Sequence, residues 1–230
     1  MSGAESDPEL DALLAEQIAY YRARAPEYED DTMEELGPEV LKGAGRELLT
    51  AIDAFAPRGD VLELACGPGT WTVDLLRHAH SLTCVDAAPE MLELATRRVD
   101  DERVRFIHAD LFSWEPDRLY DAIFFGFWLS HVPLERFDSF WEMVASALEP
   151  GGRVLFVDDA YRTAEELIAG KESSTIGRRL HDGRPYRAVK VPHTPESLER
   201  RLADAGWRFV VTRGTGPFFW GQGVPDRICA

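Results

Sequence analysis

The chain predicts an α/β fold built on a mostly parallel sheet with helices on both faces, and three observations carry that prediction. Strand-like and helix-like patterns alternate along nearly its whole length, with no internal repeat or low-complexity tract. An apolar run, Val61-Leu62-Glu63-Leu64, ends in the glycine turn Ala65-Cys66-Gly67-Pro68-Gly69 before a helix begins. That layout is a strand whose carboxyl end meets a ligand, with backbone brought close by Gly67 and Gly69. A second apolar strand then ends in Asp86, so two neighbouring parallel strands finish beside carboxylates. Such an arrangement suits a ribose with two hydroxyls or a cationic ligand, and it does not suit a phosphate.

The elements follow in order. A helix is expected over 8–24, with Leu10, Leu13, Leu14 and Ile18 on one face, and another over 38–55 with proline in its first turn. Strand 60–64, helix 70–79, strand 81–85 and helix 89–98 come next. Strands 103–107 and 120–125 precede helix 134–148, which Pro150-Gly151-Gly152 should stop, and strand 153–158 follows. A non-repeating region reaches 193. Helix 195–205 and strands 207–213 and 217–220 complete a seven-stranded sheet, whose ligands belong outside the carboxyl ends of the strands.

At 230 residues and 45% apolar content the chain fits one domain, 1–230, with a core that needs no staples. Its three cysteines, Cys66, Cys84 and Cys229, have no metal-like spacing, and so odd and sparse a set points to a reducing interior. No metal site is expected, because His78-x-His80 lacks further ligands at a recognisable spacing. No apolar stretch approaches the ~20 residues that span a bilayer. The acidic N-terminus has no basic-then-apolar leader, so the expected location is cytoplasmic and no membrane partner is expected. A formal charge of −16 argues against nucleic acid as partner. That charge is uneven: residues 1–40 hold twelve acids against Arg22 and Arg24, whereas 171–193 hold six cations against Glu172 and Asp182.

Four motifs together, ELACGPG, Asp86 in CVDAAPEML, Asp110 in FIHADLFSW and the LEPGG turn before a late strand, resemble class I S-adenosylmethionine-dependent methyltransferases in order and spacing. The resemblance covers most of residues 20–160 and implies the Rossmann-like fold and cofactor of that family. It implies that Gly67 and Gly69 let the backbone approach the methionine moiety, with Glu63 supporting the loop. Asp86 would take the ribose hydroxyls and Asp110 the adenine amino group, while Ala87, Met91 and Leu111 flank the ring; Phe127 is grouped with these contacts. Ala65 departs from the glycine frequent in the family, and a slight backbone adjustment is expected there. Tyr20 and Tyr28 lie in a tyrosine-rich segment similar to one that closes over the cofactor, within a helical lid expected over 1–56; aromatic faces attract a sulfonium. Packing against the core is the other reading of these tyrosines. A nicotinamide dehydrogenase is disfavoured because GxGxxG fails in either register, Thr70 or Thr72 standing where the third glycine belongs.

For the methyl acceptor, His131 is the candidate base, just past the fourth strand, with a hydrogen-bonded pocket histidine as the alternative role. The cationic segment 171–193 reads as a hairpin insertion with Gly183, Arg184 and Pro185 at its turn. Pairing Asp182 with Tyr186 would oppose Leu180 to Ala188 and Arg178 to Lys190. Arg178 and Lys190 are then expected as clamps on a small anionic acceptor, with Tyr186 beside them; a solvated edge strand is the plain alternative. Arg187 points to the other face. The hairpin and the following helix also resemble small O-methyltransferases that esterify acids, including a phosphonate O-methyltransferase of the dehydrophos-pathway type. The expected activity is O-methylation of a carboxylate or phosphonate by direct in-line transfer, a natural-product type of reaction. The alternatives are a neutral phenol or amine acceptor with His131 as base, and a non-catalytic cofactor-binding protein. Monomer and homodimer both remain open.

Overall fold

The computed structural model describes residues 7–28 and 36–226, so Cys229 and part of the acidic N-terminal region lie outside the described residues. Nine strands occur among them: β1 (Asp60–Leu64), β2 (Ser81–Asp86), β3 (Val104–His108), β4 (Tyr120–Gly126), β5 (Leu148–Asp159), β6 (Thr175–Arg179), β7 (Pro185–Val189), β8 (Trp207–Arg213) and β9 (Phe218–Pro225). Seven form one sheet in the order β3-β2-β1-β4-β5-β9-β8, and β6 and β7 pair separately. Strand β9 runs antiparallel to both neighbours; the other pairings within the large sheet are parallel. Six α-helices occur among the described residues: α1 (Pro8–Arg24), α2 (Pro38–Phe55), α3 (Thr72–Leu75), α4 (Pro89–Arg98), α5 (Phe137–Ser146) and α6 (Pro195–Asp204).

Period-2 alternation sorts the central strands into two cores. Leu62, Leu64, Ile123, Phe125 and Phe156 face α5 and α6 through Phe137, Phe140, Trp141, Leu198 and Leu202. Val61, Cys84, Ala122, Phe124 and Leu155 face the other way, onto Ala44, Leu48, Ile52 and Phe55 of α2. Helix α2, expected as part of a lid over 1–56, is therefore a packing layer of the core. Of these two N-terminal helices, α1 is the one that borders the site.

Four boundaries differ from expectation. The helix expected over 70–79 contracts to Thr72–Leu75, because the chain beyond it continues in tighter turns such as Arg77 N–H to Asp74 O and His78 N–H to Leu75 O. Helix 134–148 is a 3₁₀ turn at Leu134–Arg136 followed by α5. The Pro150-Gly151-Gly152 stop lies inside β5, where the register against β4 shifts between Tyr120 and Ala122, so it makes an irregularity within a strand. Strand β9 extends to Pro225.

The hairpin pairs in another register. Arg178 opposes Tyr186, and Ile176 opposes Ala188, so Arg178 does not face Lys190 across the ladder. The turn sets this: Asp182 Oδ1 accepts the Arg184 N–H at 3.0 Å and Gly183 takes φ 88°, which places Asp182 in the loop and frees Pro185 to begin β7. The observed register also avoids like charges directly opposed. The difference is even-numbered, so Arg178, Tyr186, Ala188 and Lys190 still share one face.

Candidate active site

A cavity of about 710 Å³ opens at the carboxyl ends of β1, β2, β4 and β5, closed above by α1 and flanked by the hairpin. At one end the turn after β1 brings Gly67 to its wall at φ 54°; a Cβ there would project toward the Tyr28 hydroxyl, 4.0 Å away, into the space a ligand needs. Ala65 and Phe127, at the ends of β1 and β4, also take left-handed φ of 50° and 56° and border the same space. For residues other than glycine such backbone is strained, and here it shapes the cavity floor. Asp86 Oδ2 accepts the Gly67 N–H and Oδ1 the Ala88 N–H, both at 2.8 Å, so one carboxylate locks the glycine turn to the start of α4. Burial pushes the Asp86 carboxyl up, and those backbone donors oppose the shift. Asp110 is anchored by the Phe112 N–H at 3.0 Å, and Ala87, Met91 and Leu111 supply apolar wall between the two acids.

Glu63 and Gly69 sit behind this wall. Glu63 is buried and accepts from the Thr72 hydroxyl at 2.6 Å and the Cys84 thiol at 3.3 Å, with burial pushing its carboxyl up to about 7. Gly69 packs on α4, where an added Cβ would lie 3.3 Å from Ala95. Tyr20 and Tyr28 line the cavity from the α1 side, with the Arg24 guanidinium over both rings at 5.7 and 5.3 Å.

The other end gathers His131, Arg178, Lys190 and Asp159. His131 is buried; Nδ1 meets the Val189 carbonyl at 2.5 Å, so it carries the proton, and Nε2 accepts from the Tyr21 hydroxyl at 3.0 Å. Burial, with Lys190 and Arg178 nearby, holds His131 well below the usual imidazole range. Both nitrogens are engaged and the ring is neutral. Lys190 is buried too: Nζ donates to Asp159 Oδ2 at 3.0 Å and to Ser130 Oγ at 3.1 Å, and Asp158 Oδ1 lies 3.7 Å away. Asp158 in turn accepts the Ser130 N–H and hydroxyl, both at 2.8 Å, which fixes the end of β5 to the turn after β4. Arg178 pairs with Glu166, and its Nε is buried without a partner among the described residues. Tyr186 does not reach the cavity; it packs behind Tyr20 with ring centroids 5.7 Å apart. Arg187 turns to α1 and bonds Glu16 at 2.9 Å.

Sequence reading did not find Gln17, Tyr21 and Arg24 of α1, Trp128, Asp159, or Glu166. The signal for the first three was present: polar and aromatic side chains at 17, 21 and 24 form an i, i+4, i+7 stripe. For Asp159 and Glu166 the partner is distant in sequence and no local pattern marks it. Among the described residues no cluster of three metal-ligating side chains occurs, and no helix is long and apolar enough to cross a membrane.

The cavity lies where an open α/β sheet binds its ligands, outside the carboxyl ends of the strands. Residues 61–152 match a family described as a methyltransferase domain. A solved "DhpI-SAH complex" is 40% identical with TM-score 0.77, covering 93% of this chain and 97% of that one. A "DhpI-SAM-HEP complex" is 39% identical with TM-score 0.80, covering 93% and 98%. Trans-aconitate 2-methyltransferase of Enterobacter sp. (strain 638) is 40% identical over 89 residues, 38% of this chain and 34% of that protein. Malonyl-[acyl-carrier protein] O-methyltransferase of Priestia megaterium is 28% identical over 136 residues, 56% and 48% respectively. The chain thus spans about half or less of the length of these curated relatives. It belongs to the class I S-adenosylmethionine-dependent methyltransferase family.

Proposed function

We propose that this enzyme transfers a methyl group from S-adenosylmethionine to an oxygen of a small anionic metabolite, a carboxylate or phosphonate. The observation that carries the reading is the pair of partners on His131: Nδ1 donates to Val189 O and Nε2 accepts from the Tyr21 hydroxyl, so neither nitrogen is free to take an acceptor's proton, and burial beside two cations lowers its basicity further. An oxyanion needs no base. Its lone pair forms the new C–O bond while the donor's S–C bond breaks, and the negative and sulfonium charges cancel. When bound, the cofactor supplies an electrophilic methyl on a cationic sulfur. Asp86 and Asp110 are assigned to hold its ribose and adenine, Gly67 to admit its methionine end, and Tyr20 and Tyr28 to face the sulfonium. Arg178, with Lys190 behind it, is assigned to the acceptor. Alignment of acceptor and methyl supplies most of the rate gain, ~7–11 kcal/mol when ideal. The trans-aconitate relative adds weight to an acidic acceptor.

The test is transfer of a labelled methyl to small carboxylates and phosphonates, each run beside its neutral amide or ester. Label should enter the acids alone, and with carboxylates the rate should be flat from about pH 6 to 9, since the acceptor is already ionised and the depressed His131 does not titrate there. Transfer only to phenols or amines, with an ascending pH limb lost in His131→Ala, would return the base role to His131. Tight cofactor binding without transfer to any acceptor would favour a non-catalytic role.

A further inference from the structure

Arg178 enters the cavity already holding a carboxylate. Its Nη1 donates to Glu166 Oε1, while Glu166 Oε2 accepts the Thr163 N–H at 2.9 Å and the Glu166 N–H donates to Thr163 Oγ1 at 3.3 Å. All three residues line the cavity. Glu166 lies in the segment 160–174 between β5 and β6, which carries no helix or strand. One carboxylate oxygen therefore uses one corner of the guanidinium, and the buried Nε keeps no partner.

We propose that Glu166 is a specificity-determining residue that stands in for the acceptor: its carboxylate occupies the anion subsite on Arg178, and the acceptor's oxyanion replaces it there. The inference rests on the anionic-acceptor reading of the same site. Charge is the first argument. The two cations of this end are already paired, Arg178 with Glu166 and Lys190 with Asp159, so an anion added to the full set would meet no uncompensated cation. Exchange restores the balance: the acceptor takes the guanidinium while the Glu166 side chain turns out toward solvent.

Geometry is the second argument. A carboxylate or phosphonate presents two oxygens from one centre, and a guanidinium accepts such a group through two parallel N–H bonds. An acceptor that takes two nitrogens of Arg178 holds it better than Glu166, which is tethered through Thr163 and bonds Nη1 alone. That difference favours the incoming group, because a two-bond fork on a guanidinium is stronger than a single bond. The third argument is selectivity. A neutral isostere brings no oxyanion, leaves Glu166 in place and finds its subsite filled, so the pair discriminates by charge through exclusion as well as attraction.

The experiment uses the full chain saturated with S-adenosylhomocysteine and titrates ethylphosphonate by calorimetry against wild type, Glu166→Gln, Arg178→Ala and the double variant. Glutamine keeps an acceptor for the Thr163 N–H while removing the competing charge. Glu166→Gln should bind ethylphosphonate about 10-fold tighter and Arg178→Ala about 10-fold more weakly, with the gain abolished in the double variant. If Arg178→Ala weakens binding but Glu166→Gln does not tighten it, or tightens it equally without Arg178, the stand-in role is overturned and the anionic-acceptor reading survives. If Arg178→Ala leaves affinity unchanged, or no variant binds either ethylphosphonate or its carboxylate counterpart propionate, both fail. Glu166→Ala provides a second removal of the carboxylate, and cofactor affinity unchanged across the set checks that the fold is intact.

Discussion

At one end of the cavity carboxylates are held by backbone amides and a hydroxyl; at the other they are held by cations. Asp86 receives the Gly67 and Ala88 N–H groups, and Glu63 receives the Thr72 hydroxyl. Asp159 holds Lys190 and Glu166 holds Arg178. The first arrangement comes from strand ends and tight turns adjacent in sequence, and it leaves negative charge to meet a cationic ligand. The second is assembled from β5, the 160–174 segment and the hairpin, and it leaves cations already balanced. Shape and charge at the first end follow from the parallel sheet; at the second they depend on which ion pairs persist when a ligand arrives.

The largest effect should fall on the ion-paired end. Lys190→Ala leaves Asp158 and Asp159 buried with no counterion, and breaking a buried pair this way costs about 3–5 kcal/mol. Urea denaturation should show that loss. A loss below about 1 kcal/mol would mean the cluster is not a structural weld, and Lys190 would return as a free acceptor ligand.

Glu63 probes the other end. Its folded pKa is raised to about 7, so the protonated form is favoured by the fold: the stability it contributes is full below about pH 4.5 and is lost as pH rises through 7. The shift corresponds to about 3 kcal/mol as an order of magnitude. Glu63→Gln should remove that decline, gaining on wild type between pH 5 and 8. His193, held down to about 4, has the opposite sign, losing stability as pH falls from 6.5 toward 4. It does so equally in both proteins and cancels in the difference. Parallel stability curves for the two proteins would show that the Glu63 carboxyl is ionised at no cost.

The same contrast explains what could be read in advance. The sheet, its seven strands and the acidic strand ends were legible because each is a contiguous pattern with a period. Asp86 and Asp110 needed only the end of a strand to be placed, and Gly67 only a turn. The hairpin register was not legible, since alternation fixes which face a side chain takes but leaves its opposite number open; the Asp182–Arg184 turn decided that. Lys190 reads in sequence as an exposed cation of a basic segment. Its burial depends on Asp158 and Asp159, about thirty residues earlier, and on Ser130, sixty residues away. Tyr21 was passed over for Tyr20 and Tyr28, although it alone of the three bonds His131.

The most direct test of the division of the cavity is Arg178→Ala, with acceptor KM and S-adenosylhomocysteine affinity measured on the same preparation. Removal of a charged hydrogen-bonding partner should raise acceptor KM about 10- to 100-fold. Cofactor affinity should stay within about twofold. If KM is unchanged, or if cofactor affinity falls as KM rises, the two ends are not separate sites and the assignment of the acceptor to Arg178 is wrong.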